Sequence, residues 1–384
     1  MKLLIVSHTA HYRRGGTIAG WGSTVREIDH LATLFDHVVH IAMLHPGPAP
    51  ESAIPYEAAN VRLAPVPPTG GEGLGAKLRI LAAVPGFARL FLRELKQADV
   101  VHVRCPSSVG LVAVVLLAFV RRPEIRWAKY AGNWNPEERE PFSYTVQRWW
   151  LRNRLHRGIV TINGRWPDQP DYIHSFINPC LTDREVAEGR QAGSAKQMSS
   201  PIRMLYVGRV EEEKGAGRAI EVLGRMMDAG TSATLDLVGD GPERARIERR
   251  AAERGVADAA TFHGWLPRPA IDPLYARSHI MLFPTRASEG WPKVLTEAMA
   301  YGVIPVCGNV SSIPQFLEAF AVGCALAPRD VDGMVAAIGR YAADPAMWRE
   351  EAGRAMCAAE RFSYTHYLDA VRETVMGERA AVTG

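Results

Sequence analysis

Apolar segments of strand length alternate with amphipathic helical patterns along most of the chain. This alternation predicts parallel sheets covered by helices, which is an α/β fold. The predicted strands are 2–6, 37–43, 99–104, 125–130 and 158–162 in the first half and 203–208, 233–238, 259–262, 279–283 and 303–307 in the second. The predicted helices are 23–35, 77–96, 217–229, 242–254 and 291–301. Because 384 residues exceed one typical domain, we expect two Rossmann-like domains.

A polar, turn-rich segment at 189–201 separates the two halves. We therefore predict an N-terminal domain over 1–190, a linker over 191–202 and a C-terminal domain over 203–362. Ligands of such sheets bind at the carboxyl ends of the strands, which predicts a cleft between the domains. The stretch 46–75, rich in proline and glycine, is predicted to be irregular loop and strand edge.

Cysteine usage and hydropathy indicate a cytoplasmic protein. The five cysteines are scattered and form no C-x-x-C pair, which argues against a zinc ribbon and a disulfide framework. The longest apolar run, 109–120, is too short to span a bilayer. Residues 2–6 are followed closely by His8 and the Arg13-Arg14 pair, so they favour a buried strand over a signal peptide.

Positive charge is concentrated in one stretch of the first half. The formal net charge is +4, and six arginines between residues 139 and 165 accompany one acid, Glu140, and the pair Trp149-Trp150. Arginine with tryptophan at this density is compatible with an anionic membrane surface, and equally with a solvated basic helix. No nucleic-acid motif accompanies it, so nucleic acid is not an expected partner.

Two carboxylates flank a predicted helix start near the C-terminal third. Glu289 precedes the helix, Glu297 lies more than one turn inside it, and Pro292 suits the first helical position. The helix N-terminus between them attracts anions, whereas the carboxylates would repel a phosphate and instead accept hydrogen bonds from vicinal hydroxyls. A sugar nucleotide carries both diols and phosphate. The alternative is an ordinary amphipathic helix with a capping acid.

Glycine-bearing turns follow the first strands of the second half. Gly208 and Arg209 end a strand, and Lys214-Gly215 follow, so a guanidinium and an ammonium could neutralise a diphosphate on one loop. Gly239 opens a turn that lacks the third glycine of a dinucleotide fingerprint, which makes NAD binding unexpected. After the next strand, Gly264 and Trp265 could lie beside a nucleotide base. Each of these turns could equally be structural.

Together these segments resemble the retaining glycosyltransferase family 4 of GT-B fold. The resemblance rests on G-R-x4-K-G at 208–215, V-G-D-G-P-E at 238–243 and F-H-G-W at 262–265. It continues with the E-x7-E pair at 289–297 and E-A-M-A-Y-G-x-x-P-V at 297–306. The resemblance implies two Rossmann-like domains and a final segment, 363–384, whose helix crosses back to the first domain.

The resemblance also implies roles for individual residues. Arg209 and Lys214 would hold the donor diphosphate, Glu289 the donor sugar and Glu297 the ribose, and Glu289, Arg209 and Lys214 are the predicted catalytic residues. The predicted donor-binding set is Gly15, Gly16, Gly208, Arg209, Lys214, Gly239, Gly264, Trp265, Glu289, Gly290, Trp291, Pro292, Lys293 and Glu297. Pro292 replaces a glycine of many relatives and removes one backbone donor, which Lys293 could offset.

The first half departs further from the family. Many relatives carry a pocket histidine after the fifth strand of this domain, where this chain has Lys129 and Asn133. Those two residues, with His8 and His11 at the end of the first strand, are the predicted acceptor-pocket candidates. Asp330 and Asp332 have the D-x-D form of metal-dependent transferases, but their place before an apolar helix favours an N-cap, so we predict no metal site.

The sequence therefore predicts a metal-independent, retaining hexosyltransferase without a cofactor. It would move a sugar from a nucleoside-diphosphate sugar to a saccharide or polyprenyl-linked acceptor in polysaccharide or glycoconjugate synthesis. Two alternatives stay open: a sugar-nucleotide 2-epimerase of the same architecture, and a non-catalytic sugar-nucleotide-binding subunit. The missing first-domain histidine keeps the second alternative open.

Overall fold

A computed structural model describes residues 1–69, 73–136 and 140–377. The chain forms two compact units. Unit 1 comprises Met1–Ile177 together with the residues from Tyr367 on, and unit 2 comprises Asn178–His366. The part of the final segment beyond residue 377 and Arg139 of the basic stretch lie outside the described residues.

The sheet of unit 1 contains seven parallel strands in the order β5-β3-β1-β6-β7-β8-β9. The strands of this unit are β1 Lys2–Arg14, β2 Thr17–Trp21, β3 His37–Leu44, β4 Ala53–Pro55, β5 Val61–Val66, β6 Val100–Cys105, β7 Ile125–Tyr130, β8 Ile159–Ile162 and β9 Ile173–Ser175. β1 is unusually long, because its second half leaves the parallel sheet and pairs antiparallel with β2, which pairs with β4.

Helices cover both faces of this sheet. The helices of unit 1 are α1 Gly22–Ala32, α2 Leu74–Leu95, α3 Ser108–Leu117 and α4 Phe142–Arg152. Apolar residues of α2, α3 and α4 pack on one face. α1 and the C-terminal residues from Tyr367 pack on the other face, so the predicted return of the chain to the first sheet is present.

Unit 2 contains six parallel strands in the order β12-β11-β10-β13-β14-β15. They are β10 Ile202–Val207, β11 Ala233–Val238, β12 Ala260–Gly264, β13 Ile280–Phe283, β14 Ile304–Gly308 and β15 Cys324–Leu326. The helices are α5 Asp183–Ser194, α6 Ala216–Asp228, α7 Arg244–Glu253, α8 Arg268–Arg277, α9 Lys293–Ala300, α10 Ile313–Phe320, α11 Val331–Ala343, α12 Pro345–Glu360 and α13 Tyr364–Ala370, which extends into unit 1. The strand order reverses between β10 and β13, which is where such sheets bind ligands.

The segment predicted as a linker is partly helical. α5 runs to Ser194 and is started by a capping box between Thr182 and Glu185. Gly193 of α5 packs against the backbone of Tyr301, where an added Cβ would lie 2.7 Å from the carbonyl. The small residues that suggested flexibility instead let two backbones approach closely, and unit 2 accordingly begins at Asn178.

The stretch 46–75, predicted to be irregular loop and strand edge, contains the edge strands β4 and β5. β5 pairs in parallel with β3 over six positions, so part of this stretch is regular sheet. Its prolines obscured the strand pattern, since Pro65 lies within β5 at the edge of the sheet, where a missing N–H is tolerated. Within the described residues, no helix is both long and apolar enough to cross a bilayer.

Candidate functional site

Two charged side chains meet at the strand-order reversal of unit 2. Lys214 lies in the loop after β10, and Glu289 lies in the loop after β13. The Lys214 Nζ atom is 2.6 Å from the Glu289 Oε1 atom, and Thr285 Oγ1 donates to the same oxygen at 3.4 Å. About a quarter of each side chain is exposed, 23% for Lys214 and 24% for Glu289. The ion pair is therefore formed and reachable from solvent.

Three glycines at the ends of adjacent strands lock the neighbouring loops together. Gly208, Gly239 and Gly264 follow or end β10, β11 and β12. The Gly239 N–H donates to the Gly264 carbonyl at 2.7 Å, and a Cβ on Gly239 would lie 1.9 Å from the Gly208 carbonyl oxygen. With its φ of +127°, Gly239 is a position that no other residue can take without displacing this backbone. The predicted glycines are thus brought together by close packing of loops.

The Lys214 loop is fixed by a residue that sequence reasoning missed. Arg218 on α6 donates from Nε to the Pro284 carbonyl at 2.8 Å and from Nη2 to the Glu213 carbonyl at 3.2 Å. Its side chain is only 9% exposed and links the loop after β10 to the loop after β13. The available signal was an arginine among the apolar residues of an amphipathic helix, one turn after Lys214.

The Lys-Gly pair sets the start of α6. Gly215 has a φ of +91° and precedes the helix, and a Cβ there would lie 2.3 Å from the Pro284 carbonyl oxygen. Arg209 on the same loop is largely exposed, with Nε 3.6 Å from Glu211 Oε2. Arg209 is therefore more exposed than Lys214, and the two cations lie on one loop as the sequence predicts.

The start of α9 differs from the prediction. Pro292 is the N-cap, and the helix begins at Lys293. Trp291 is 2% exposed, its indole Nε1 donates to Thr296 Oγ1 at 2.7 Å, and its ring stacks on Phe362. The Trp291 side chain thus belongs to the core and could contribute only backbone to a ligand. Gly290 is buried beside it.

Glu297 is held by two residues of α8. The Arg268 Nη1 atom is 2.8 Å from Glu297 Oε1, and the Tyr275 hydroxyl donates to Oε2 at 3.1 Å. Burial, followed by the charge of Glu297, raises the pKa of Tyr275, which keeps the phenol protonated as a donor. Sequence reasoning missed both partners, because their separation of 29 and 22 residues from Glu297 gives no local pattern.

The end of β12 carries the two remaining candidates of unit 2. Trp265 is 41% exposed. His263, which precedes Gly264, places its Nε2 atom 2.6 Å from Asp236 Oδ1, and Arg277 donates to the same carboxylate. His263 is therefore a half-buried, hydrogen-bonded histidine, and the Trp265 ring, two residues later in the sequence, is exposed.

Lys129, a candidate of unit 1, is used internally. Its Nζ atom lies 2.7 Å from Glu27 Oε1, and Arg104 Nη1 lies 2.7 Å from the same oxygen. Tyr367 donates to it at 3.2 Å. The Lys129 and Glu27 side chains are 5% and 1% exposed. This buried network orders the core of unit 1 and leaves Lys129 poorly placed for a ligand.

The other candidates of unit 1 differ in exposure and in their contacts. His8 is exposed, whereas His11 is fully buried, with Nε2 2.8 Å from the Tyr56 hydroxyl. Burial lowers the pKa of His11, which favours the neutral ring. Asn133 Oδ1 accepts the Asn135 N–H at 3.1 Å and so shapes a turn.

Gly15 and Gly16 form the two-residue turn between β1 and β2, with φ of +54° and +84°. Positive φ at both positions is the geometry of a type I′ hairpin turn, which glycine adopts freely. The structure therefore places this pair at the tip of a hairpin. The first helix, α1, does not begin there but directly after β2, at Gly22.

The D-x-D segment caps a helix, as predicted. Asp330 Oδ1 accepts the Gly333 N–H at 2.9 Å at the start of α11, and Asp332 pairs with Arg225. Among the described residues, no cluster of three or more histidine, cysteine, aspartate or glutamate side chains is arranged to hold a metal ion.

The basic stretch is largely engaged with its own unit. Arg148 pairs with Glu140 and donates to the Tyr130 hydroxyl at 2.8 Å, while Arg152 and Arg154 lie over the rings of Trp134 and Tyr172. Phe142 and Trp149 on α4 are 81% and 57% exposed.

The geometry of unit 2 can now be compared with known proteins. Residues 192–356 match the family model of glycosyl transferases group 1. The chain is 29% identical over 242 residues to 2-deoxystreptamine glucosyltransferase of Streptomyces kanamyceticus, covering 57% of this chain and 60% of that protein. It is 31% identical over 226 residues to glycogen synthase of Mycobacterium tuberculosis, covering 57% and 52%. The matches thus span a little over half the length of these relatives, and the predicted resemblance to glycosyltransferases is confirmed.

Solved structures extend the likeness to the whole chain. Sucrose-phosphate synthase from Thermosynechococcus elongatus aligns with a TM-score of 0.73 at 18% identity, covering 98% of both chains. Anabaena HepE in complex with UDP and glucose aligns with a TM-score of 0.68 at 18% identity, covering 98% of this chain and 100% of that one. At this identity the likeness concerns the fold, and it confirms the predicted α/β fold with two parallel-sheet units of the GT-B type.

Proposed function

We propose that this protein is a glycosyltransferase that uses a nucleoside-diphosphate sugar. The acceptor would be a hydroxyl of a saccharide or of a lipid-linked saccharide, in polysaccharide or glycoconjugate synthesis. The observation that carries the proposal is the solvent-reachable ion pair of Lys214 and Glu289 at the strand-order reversal of unit 2. The group 1 family match and the relatives named as glycosyltransferases support it.

The ion pair can serve two parts of one donor. Lys214 would attract the diphosphate, with Arg209 on the same loop and the backbone at the start of α9 adding positive potential. Glu289 would accept hydrogen bonds from the hydroxyls of the sugar. Because the two groups are already within 2.6 Å, diphosphate and sugar would be bound next to each other.

Glu297 would bind the ribose of the donor. Its Oε2 atom accepts from the Tyr275 hydroxyl, and its Oε1 atom forms an ion pair with Arg268, so lone pairs remain on both oxygens for ribose hydroxyls. The two partners fix the orientation of the carboxylate, so binding would cost little side-chain entropy. Trp265, exposed at the end of β12, would contact the base.

In the proposed reaction a hexose is transferred with retention of configuration and without a metal ion. The bond between the anomeric carbon and the diphosphate oxygen breaks, and the acceptor oxygen forms its bond to that carbon on the same face. The acceptor proton passes to the departing diphosphate oxygen. Lys214 and Arg209 stabilise the charge that develops there, each contributing about 3 kcal/mol.

Calorimetry with UDP, GDP and ADP and their common sugars tests the donor site. The titrations are run first with EDTA and then with magnesium. We expect one diphosphate class to bind without metal, and to bind at least about tenfold more weakly to Glu297→Ala. Glu253→Ala, which removes an exposed acid of α7, is the matched control. If none of the nucleotides binds, the glutamates are structural and the proposal is wrong.

Product analysis separates the transferase from its two alternatives. Incubation with the bound donor should release nucleoside diphosphate, by transfer to an acceptor or by slow hydrolysis. A sugar-nucleotide 2-epimerase would instead convert the donor into its C2 epimer. A subunit that only binds the donor would return it unchanged.

We further propose that the protein works in the cytoplasm and contacts anionic membrane through residues 139–165. The exposed Phe142 and Trp149 on α4 support this, since aromatic rings beside arginines suit a lipid interface. Co-sedimentation with vesicles containing anionic lipid should fall for Trp149→Ala and stay unchanged for Trp265→Ala, an exposed tryptophan of unit 2. If the protein does not sediment with such vesicles, the proposed membrane contact is wrong.

A further inference from the structure

Unit 1 contains a cavity of about 430 Å³ that the donor assignments above do not use. It lies between the end of α4, the loop after β7 and the connection from β8 to β9. Its lining includes Trp134, Asn135, Arg152, Trp166, Asp168 and Gln169. This volume is within the range of about 300–1,000 Å³ in which small-molecule sites fall.

The loop that forms one wall is held rigid. The Trp166 N–H donates to Gln169 Oε1 at 3.2 Å, and the Trp166 indole donates to the Asn163 carbonyl at 3.0 Å. Pro167 and Pro170 restrict the backbone on either side of Asp168, which itself has a φ of +55°. The wall is therefore preformed, and a ligand would not have to order it.

The opposite wall presents a fixed guanidinium. Arg152 stacks on the Trp134 ring at 5.2 Å and donates from Nη2 to the Trp134 carbonyl at 3.3 Å. The Asn133 turn, through its bond to the Asn135 N–H, shapes the loop that carries Trp134. A guanidinium has five N–H donors in a planar fork, so donors remain for a ligand.

We propose that this cavity binds a saccharide. The half-buried ring of Trp166 offers an apolar face of the kind on which the C–H face of a sugar ring packs. Arg152 donates and Asp168 accepts hydrogen bonds, and Asn135 and Gln169 can do both, which matches hydroxyls that are donors and acceptors at once. A purely apolar ligand would leave these polar groups unpaired.

The inference rests on the proposed function, because a transferase of this kind uses a saccharide as its acceptor substrate. It names residues of unit 1, whereas the donor assignment names residues of unit 2. The two can therefore fail independently. None of Lys129, His8 or His11 is among the residues that line the cavity.

Titration of the full chain with simple sugars tests the cavity. The probes are methyl glycosides and disaccharides of glucose, galactose, mannose and N-acetylglucosamine, followed by saturation-transfer NMR and calorimetry. We expect at least one probe to bind, and to bind at least about tenfold more weakly to Trp166→Ala and to Asp168→Ala. Trp149→Ala, an exposed tryptophan of α4 outside the cavity, should bind like the unchanged protein.

Two further measurements keep the test decisive. Trp166→Phe retains an aromatic face and should recover part of the affinity, and urea denaturation of both variants separates loss of binding from loss of folding, because Trp166 also packs against the core of unit 1. Donor binding is measured on the same samples. Sugar binding that is absent, or that Trp166→Ala and Trp149→Ala weaken equally, overturns the saccharide site even if the donor still binds. Loss of donor binding with intact sugar binding overturns the proposed function alone.

Discussion

Each unit contains a lysine–glutamate pair of nearly the same length. Lys214 and Glu289 in unit 2 are 2.6 Å apart, and Lys129 and Glu27 in unit 1 are 2.7 Å apart. The first pair is about one quarter exposed, whereas the second is almost completely buried and shares its carboxylate with Arg104 and Tyr367. The same two residue types therefore have different roles in the two units, and the degree of burial decides the role.

The physical reason lies in solvation. A buried carboxylate needs its partners permanently, because removing one leaves an uncompensated charge in a medium of low dielectric constant. An accessible pair gains little stability from its contact and can exchange it for a ligand. We therefore expect substitutions in the unit 1 pair to affect stability, and substitutions in the unit 2 pair to affect binding and turnover.

The largest expected loss of stability follows from Glu27→Gln. Two cations, Arg104 and Lys129, would lose their carboxylate in the core, which should lower the free energy of unfolding by about 3–5 kcal/mol. Urea denaturation measures it, with exposed Glu51→Gln as control. A loss below about 1 kcal/mol would mean that the network is solvated and that the contrast between the units is false.

Lys214→Ala should show the opposite behaviour. Its partly exposed ion pair contributes less than about 1 kcal/mol to stability. Loss of the cation should lower the rate of sugar transfer by about 10²–10³-fold, if it stabilises the leaving diphosphate. Arg225→Ala, which removes an exposed ion pair of α6, controls for charge. A normal transfer rate in Lys214→Ala would remove this residue from the site.

Gly239→Ala tests the packing that supports the Lys214 loop. The added Cβ would lie 1.9 Å from the Gly208 carbonyl oxygen at a φ of +127°, so we expect a loss of about 1–3 kcal/mol and weaker donor binding. Gly255→Ala is a matched control, because its φ is +73° and nothing lies within 4 Å of the added atom. If both substitutions lower stability equally, the positive φ alone accounts for the loss, and the contact with the Gly208 carbonyl does not contribute.

A third lysine, Lys196, lies in unit 2 and binds backbone carbonyls rather than a carboxylate. Lys196 donates to the Tyr275 carbonyl at 3.1 Å and the Ser278 carbonyl at 2.6 Å, and burial lowers its pKa to about 7 from 10.5. Between these two values the unfolded chain binds more protons than the folded one. Stability should therefore rise with pH across that window, by up to about 1.4 kcal/mol per pH unit.

Lys196→Met is the variant that checks this assignment. It removes the titrating group and should flatten the rise in unfolding free energy between pH 7 and 10, measured by urea denaturation at several pH values. An unchanged slope would show that Lys196 is not the source. The contrast between the three lysines would then rest on exposure alone.

Much of the fold could be predicted, because it depends on local pattern. The alternation of strands and helices predicted both parallel sheets, and the spacing around Asp330 predicted its role as an N-cap. The end of α5, residues 191–194, was assigned to the linker because its small residues look flexible in isolation. Its close contact with Tyr301, which requires glycine, lies more than 100 residues away in sequence.

In the candidate site, the sequence by itself determined the loops and the charged residues that they carry. Gly208 follows β10, Lys214 and Glu289 lie in the loops after β10 and β13, and Glu297 lies in α9, and the local chain pattern was enough to place them there. Tertiary structure alone decided which of these charged side chains are accessible to a ligand. Arg268 was brought to Glu297, Arg218 to the Pro284 loop and Glu27 to Lys129 by packing between distant elements, and the resulting burial fixes whether a charge stabilises the core or faces a ligand.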